Sequence, residues 1–343
     1  MTAADPTPNP RPDTEGDPVI VDLFAGPGGI DAAARGMGLP TVGLEWDANA
    51  VATRVAASLP TVHGDVRDYS PRDFPDASDL AAGPPCQTFT IAGDGSGRAE
   101  LDRVIEAVGR MWAGQPVAPQ MFADERTALV LEPLRWILAD FEHGYNSVVL
   151  EQVPQALPVW EAYARVLKGQ GYSVATGVLN AEEYGVPQTR RRAVLVARLV
   201  GPATLPTPTH RRYVKGVPQH EGDPTLLPWV SMGDVLPHRG EFSVVSNYGT
   251  GGDPKNRGRR TSREPAFTVT GKISRNRIVG PDGRELERFT HAEAGRLQGF
   301  PADWAWSGCD IPQQIGNACP PPLAAALLTA AGVAQSAALE VAA

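Results

Sequence analysis

The sequence predicts an α/β fold, a mostly parallel sheet covered by helices, joined to a smaller and irregular second domain. Three observations predict it. From Val19 onward, short apolar and β-branched runs alternate with amphipathic stretches, the pattern of repeated βα units. Gly26, Gly28 and Gly29 directly follow the first such run and precede the first helix-like stretch. Between about 200 and 265 the period stops, and Pro, Gly, Arg and Thr take over.

In chain order, the apolar runs place strands near 19–24, 41–46, 61–64, 78–82, 147–151, 172–179 and 193–199. Helical spacing of apolar residues places helices near 29–37, 47–58, 127–140 and 158–169, and "RAELDRVIEAVGRMW" reads as a further helix. "LPTPTHRRYVKGVPQ" and "GTGGDPKNRGRRTSREP" have loop composition, with strand-like pieces such as "EFSVVS" between them. Periodic structure resumes around Phe289. The expected organisation is a disordered tail over 1–18, a main domain from 19–199 and 289–343, and a second domain over 200–288. The Ala-rich end from Leu323 to Ala343 is interrupted by Gln335, Ser336 and Glu340. Alanine inserts weakly into lipid, so a helix packed on the core is expected there, not a membrane span.

With 343 residues, 42% of them hydrophobic, the chain has enough apolar surface for a full core. Its formal net charge of −8 excludes a chain that is basic all over, so any nucleic-acid surface has to be a local patch. Three cysteines, Cys86, Cys309 and Cys319, are too few and odd in number for a disulfide framework. Together with a polar, Pro-punctuated start and no signal-peptide pattern, they lead to an expected cytoplasmic location.

Glycines in "VIVDLFAGPGGI" let backbone approach a ligand closely at a strand end. The dinucleotide pattern fails, because the position three after Gly28 is Asp31, which disfavours a pyrophosphate ligand and a dehydrogenase. Glu45 closes the second strand nineteen residues after Gly26, placed to take both ribose hydroxyls. Asp65 ends the third, placed to accept from an adenine amino group. This is an adenosine pocket without phosphate contacts, as S-adenosylmethionine requires.

"LAAGPPCQTFT" puts Cys86 in a turn at the end of the fourth strand, on the sheet edge where ligands bind in open α/β folds. A lone intracellular cysteine is usually a small core residue, but the flanking prolines and following loop argue against burial. A thiol of ordinary pKa near ~8.5 needs a positive field to attack at neutral pH. Glu151 at the mouth of the fifth strand, and Gln188, Arg190 and Arg192 in "QTRRRAVLVA", are the candidate partners, with alternation aiming both arginines to one side.

At these residues the sequence resembles the DNA (cytosine-5) methyltransferase family. "DLFAGPGG", "GPPCQ", the Glu-x-Val segment, "QTRRR", "REPAFTVTG", "AGRLQGFP" and "IGNACPPPLA" look like successive family motifs, in family order from about 19 to 330. The resemblance implies a Rossmann-like S-adenosylmethionine-dependent methyltransferase domain with a target-recognition domain over 200–288. It implies Cys86 as nucleophile toward a flipped cytosine, Glu151 on ring N3, Arg192 orienting the base and Arg190 steadying charge. It implies cofactor contacts from Phe24, Gly26, Gly28, Gly29, Glu45, Trp46, Asp65, Val66, Pro85 and Asn317, and no metal. Double-stranded DNA is the implied partner, for a monomer in a restriction-modification or phage setting with a cognate restriction endonuclease to look for. Three departures stand out: Gln152 where the family has asparagine, Cys319 where valine is common, and a longer stretch between Thr90 and Asp124.

From Asp253 to Arg277 eight positive residues face only two acidic ones, the clearest phosphate-contact candidate in an acidic chain. Of these, Lys255, Arg257, Arg259, Arg260, Arg263, Lys272 and Arg275, together with Gln87 beside the nucleophile, are the expected DNA contacts. Two other readings compete. A tRNA cytosine methyltransferase of the same fold lacks support from a later Cys-Phe-Thr motif, and a silent DNA-binding regulator sits poorly with the retained Cys86, Glu151, Arg190 and Arg192.

Overall fold

The computed structural model describes residues 19–85, 100–139, 144–246 and 258–333. Its centre is a seven-stranded sheet of β1 (Val19–Leu23), β2 (Thr41–Glu45), β3 (Thr61–His63), β4 (Ala77–Ala82), β5 (Ser147–Gln152), β6 (Ser173–Asn180) and β7 (Arg191–Arg198), in the order β3-β2-β1-β4-β5-β7-β6. The strand order reverses between β1 and β4, which are parallel neighbours whose connections leave to opposite sides, opening a crevice beyond their carboxyl ends. Only β7 runs against the rest, antiparallel to both β5 and β6, with Gln152 opposite Ala193. That reversal decides the site: it brings the start of β7, and with it Arg190 and Arg192, to the edge where the parallel strands end.

Strands buried on both faces read as continuous apolar runs, and β4, β5 and the interior of β1 are buried throughout. One face is covered by α1 (Gly29–Gly36) and the C-terminal helix Pro321–Ala331, through Ile30, Leu323, Leu327 and Leu328 against Ile20, Ala81 and Val149. The expected packing of that end on the core is found up to Val333. No described helix is long and apolar enough to cross a membrane. Beside α1 lies α2 (Ala48–Ala56), tied to it by the Arg54–Asp31 ion pair. The other face carries α3 (Leu101–Trp112), α4 (Glu132–Ala139) and α5 (Leu157–Gly169), around Trp136, Trp160 and Tyr163. The segment "RAELDRVIEAVGRMW" thus contains α3, whose Val104, Ala107 and Val108 bury against this layer.

The strand expectations agree with the structure to within two residues at each end. One helix differs: 127–140 is a 3-10 turn over Glu125–Leu131 followed by α4. Pro133, which lacks an N–H and fits only a first helical turn, makes the α-helix begin afresh there. The tail 1–18 lies outside the described residues.

The region of loop composition holds a four-stranded sheet, β8 (Ser243–Val245), β9 (Arg259–Thr261), β10 (Arg277–Val279) and β11 (Glu285–Leu286), in the order β11-β10-β8-β9. Its core of Phe242, Val244, Val269 and Ile278 is completed by Ala294 and Leu297 of α6 (His291–Gln298) and Ile315 of α7 (Ile311–Asn317). Short strands between Gly and Pro residues have too few alternating positions to show a period, so the sheet was legible only at "EFSVVS".

Candidate active site

A cleft of about 410 Å³ lies at the carboxyl edge of the seven-stranded sheet. Its floor is the turn after β1. Phe24 there has φ 60°, a left-handed conformation that costs a non-glycine residue about 1–3 kcal/mol and typically marks a functional turn. Gly26 lines the cleft, and its N–H donates to Glu45 Oε2 at 2.7 Å. Gly28, at φ 96°, faces Leu59 and Trp304 instead; a Cβ there would stand 2.4 Å from Leu59. Gly29 lines the cleft as α1 begins, and a Cβ on it would stand 2.2 Å from the Cys319 carbonyl. Two of the three glycines are therefore required by packing as well as by any ligand.

Glu45, Trp46, Asp65 and Val66 line one end of the cleft. The second Glu45 oxygen, Oε1, accepts from Asp47 N–H at 2.7 Å, so both oxygens are aimed while each keeps a further lone pair. Burial pushes this carboxyl upward, and the backbone donors of Asp47 and Gly26 oppose the shift. Asp65 caps the short turn Val66–Asp68 and is gripped by Arg67, with Nε on one oxygen at 2.9 Å and Nη2 on the other at 2.5 Å. Trp46 lines the cleft and is 69% exposed, so much of its indole surface is free to meet a ligand. Asp31, which breaks the dinucleotide pattern, is wholly buried in an ion pair with Arg54 at 2.7 Å and accepts from Thr41; it is a structural residue beneath the floor.

At the other end stand Pro85, Glu151, Arg190, Arg192, Asn317 and Cys319. Arg192 Nε is 2.5 Å from Glu151 Oε1, a charge pair not aligned as a hydrogen bond. Arg190, though it lines the cleft, directs its guanidinium to the carbonyls of Val269 at 3.0 Å, Gly316 at 2.9 Å and Ala318 at 3.3 Å. Its geometry is that of a residue holding the wall. Gln152, the departure from asparagine, donates to the Pro84 carbonyl at 2.5 Å and accepts from the Val153 N–H, tying β5 to the turn that follows β4. Cys319 is buried, and burial first, then the Glu151 carboxylate, push its thiol well above its ordinary range, so it fills the wall as valine would. Cys86 and Gln87 lie outside the described residues, directly after Pro85.

Of the expected DNA contacts, Arg259, Arg263, Lys272 and Arg275 are exposed, with Arg263 in a surface pair with Glu241. Arg260 is turned inward: it lies 4.9 Å from the Tyr213 ring and 4.5 Å from the Phe267 ring and donates to Thr189 Oγ1 and the Pro265 and Ala266 carbonyls. Half-buried, with Nη1 committed to these three oxygens and two rings beside it, Arg260 holds the second domain against the main one, unlike its exposed neighbour Arg259. Lys255 and Arg257 lie outside the described residues. No group of metal-ligating side chains is found among the described residues.

One residue escaped sequence reading. Asp22 lines the cleft, is 1% exposed, and neither carboxylate oxygen has a hydrogen-bond partner among the described residues. Burial, then Asp31, hold its carboxyl well above the usual range. Its signal is in the sequence: an acidic residue inside the apolar run "VIVDLF", where a buried charge is costly unless a ligand meets it.

A sequence model of C-5 cytosine-specific DNA methylases matches residues 19–108, 113–221 and 234–332. The Type II methyltransferase M.NgoFVII of Neisseria gonorrhoeae is 25% identical, over 89% of this chain and 83% of its own. M.AplI of Arthrospira platensis is 27% identical, over 90% and 84%. The crystal structure of S. pombe Dnmt2 methyltransferase superposes with a TM-score of 0.57 at 17% identity, over 92% of this chain and 98% of that one, a likeness of fold.

Proposed function

The chain belongs to the C-5 cytosine-specific DNA methylase family and is a cytosine-5 DNA methyltransferase, and from that premise we propose that it methylates cytosine in a specific duplex sequence through a covalent adduct on Cys86. The observation that carries the reading is that one cleft is lined by Glu45, Trp46 and Asp65 at one end and by Glu151, Arg190 and Arg192 at the other. Pro85 is in the same wall, one residue before Cys86.

S-adenosylmethionine fits the donor set. Glu45 offers lone pairs to ribose hydroxyls, Trp46 and Phe24 offer ring faces to adenine, and Asp65 and Val66 border it. Asp22, a buried carboxylate with no partner among the described residues, suits the methionine ammonium, with Asn317 and the backbone of Gly26 and Gly29 beside it. Gly28 shapes the turn from behind. When bound, the cofactor supplies a sulfonium methyl group, the electrophile that carbon 5 needs.

Carbon 5 of cytosine is a poor nucleophile on its own. The Cys86 thiolate forms a bond to carbon 6, and a proton passed from the Glu151 carboxyl to ring N3 neutralises the charge pushed into the ring, leaving carbon 5 enamine-like. Arg192, paired with Glu151, orients both that carboxylate and the base. After methylation, loss of the carbon 5 proton to solvent, breakage of the S–C6 bond with release of the Cys86 thiolate, and return of the N3 proton to Glu151 restore the aromatic ring. Arg190 serves by holding the wall in place. The cytosine has to leave the duplex first, at a cost of about a few kcal/mol.

The second domain, 200–288, is the proposed target-recognition unit on the main domain of 19–199 and 289–343. Arg259, Arg263, Lys272 and Arg275 are its proposed phosphate and base contacts, with Lys255, Arg257 and Gln87 assigned from sequence. The proposed setting is the cytoplasm, as a monomer in restriction-modification, with a cognate endonuclease, or in phage or host self-marking. The test is trapping. On DNA carrying 5-fluorodeoxycytidine, which cannot lose fluorine from carbon 5, the protein plus S-adenosylmethionine should form a denaturant-stable adduct that maps to Cys86. An adduct at another residue, or none, overturns the covalent assignment.

A further inference from the structure

Four sequence-distant segments meet in a closed circuit of buried hydrogen bonds. Gln188 and Gln298 are both 0% exposed and Arg190 is 2% exposed. Gln188 Oε1 accepts from Val269 N–H at 2.8 Å, and its Nε2 donates to Gln298 Oε1 at 2.6 Å and to the Leu297 carbonyl at 2.8 Å. Gln298 Nε2 donates to the Ala318 carbonyl at 2.5 Å. Arg190 returns to Ala318 and to Val269, closing the ring. At the same place, backbone packs on backbone: a Cβ on Gly316 would stand 2.3 Å from Gly271 N.

Each member faces a different job. Gly316–Cys319 is a wall of the cleft. Val269 belongs to the core of the four-stranded sheet, and Ala266, three residues earlier, bridges to Gln188. Gln298 has its carbonyl and amide ends on Gln188 and Ala318, as Gln188 has its own on Val269 and Gln298, and Gln298 is the link that joins this chain of bonds to the cleft wall, so it fixes the spacing of Gln188 and Ala318. A buried amide satisfied at both ends has one low-energy arrangement, because leaving either end unmade costs full desolvation.

We propose that Gln298 is a positioning residue that locks the cleft wall at Gly316–Cys319 to the second domain at Val269, so that cofactor and DNA binding are coupled through it. This rests on the reading of the cleft as the cofactor site. A ligand that orders one end of the circuit orders the other, and linkage makes the effect reciprocal.

The test uses the full chain, S-adenosylhomocysteine, and a plasmid that the wild-type enzyme methylates. Wild type should bind S-adenosylhomocysteine, and DNA should tighten that binding by a factor on the order of ten, the common range for coupled sites. Gln298→Met, which keeps length and removes both polar ends, should lose most of that factor while its circular dichroism stays native. Gln188→Met opens the circuit at its neighbour and should lose the same factor, and the double variant should be no worse than either single. If Gln298→Met does not fold, Gln298→Asn keeps the amide but shortens its reach, and the same loss is expected. A coupling factor unchanged in the folded variants overturns the proposal while the cofactor reading stands. Wild type that does not bind S-adenosylhomocysteine overturns the cofactor reading and the coupling with it.

Discussion

Arg192 Nε stands 2.5 Å from Glu151 Oε1, with the two side chains 12% and 8% exposed, because β7 alone runs backward in the sheet. The pair is held at the mouth of the cleft by register and not by a flexible loop. Glu151→Gln should lower kcat by roughly 10²–10⁴-fold, the range for loss of a positioned proton-handling group. Its affinity for S-adenosylhomocysteine, measured by calorimetry, should change little. Equal loss of both would make Glu151 a binding residue.

Asp22→Asn separates stability from function. A buried carboxyl with no partner, held well above its usual pKa by burial and Asp31, opposes folding whenever pH is above the ordinary carboxylate range. The amide should leave Tm at pH 7 unchanged or raised, while affinity for S-adenosylhomocysteine falls by about tenfold or more, as expected for loss of a charged partner. A variant that melts lower and binds normally would make Asp22 a structural group.

Arg259 and Arg260 are neighbours in sequence with opposite assignments. Arg260→Ala removes two ring contacts and bonds to Thr189, Pro265 and Ala266, and should destabilise by about 1–3 kcal/mol in denaturant titration. Arg259→Ala should leave stability alone and reduce the slope of log affinity for DNA against log salt by about one. The reverse pattern would restore Arg260 to the DNA surface.

Glu293 supplies an acid-labile latch between α6 and the second domain. Burial would raise its pKa, but Arg239, the Thr290 N–H and His238 together hold it down to about 2, from an ordinary 4.5. A folded-state pKa below the unfolded one stabilises above about pH 4.5 and is lost as pH falls toward about 2. Glu293→Gln should therefore lower Tm at pH 7 and flatten the dependence of Tm on pH across that window. An unchanged acid limb would contradict the assignment.

Much of this was legible in the sequence. The seven strands, the glycine turn, Glu45, Asp65 and the arginines of "QTRRR" all follow from periodicity and residue type at strand ends, and the structure places Gly26, Gly29, Glu45, Asp65, Arg190 and Arg192 on one cleft. What escaped was set by contacts between distant residues. Arg260 read as one cation in a run of eight, and only the Tyr213 and Phe267 rings, far away in sequence, turn it inward. Arg190 and Arg192 look alike two residues apart, yet one ends on three backbone carbonyls and the other on a carboxylate. Gln298 sits in "AGRLQGFP" with no pattern to mark it, because its partners, Gln188 and Ala318, come from other blocks.

The central claim is tested most directly by incubating the purified protein with labelled S-adenosylmethionine and either unmodified DNA or tRNA, and identifying the modified nucleoside by mass spectrometry. The account predicts 5-methylcytosine in DNA, abolished by Cys86→Ala. Label in tRNA alone, in neither, or in DNA undiminished by Cys86→Ala would contradict it.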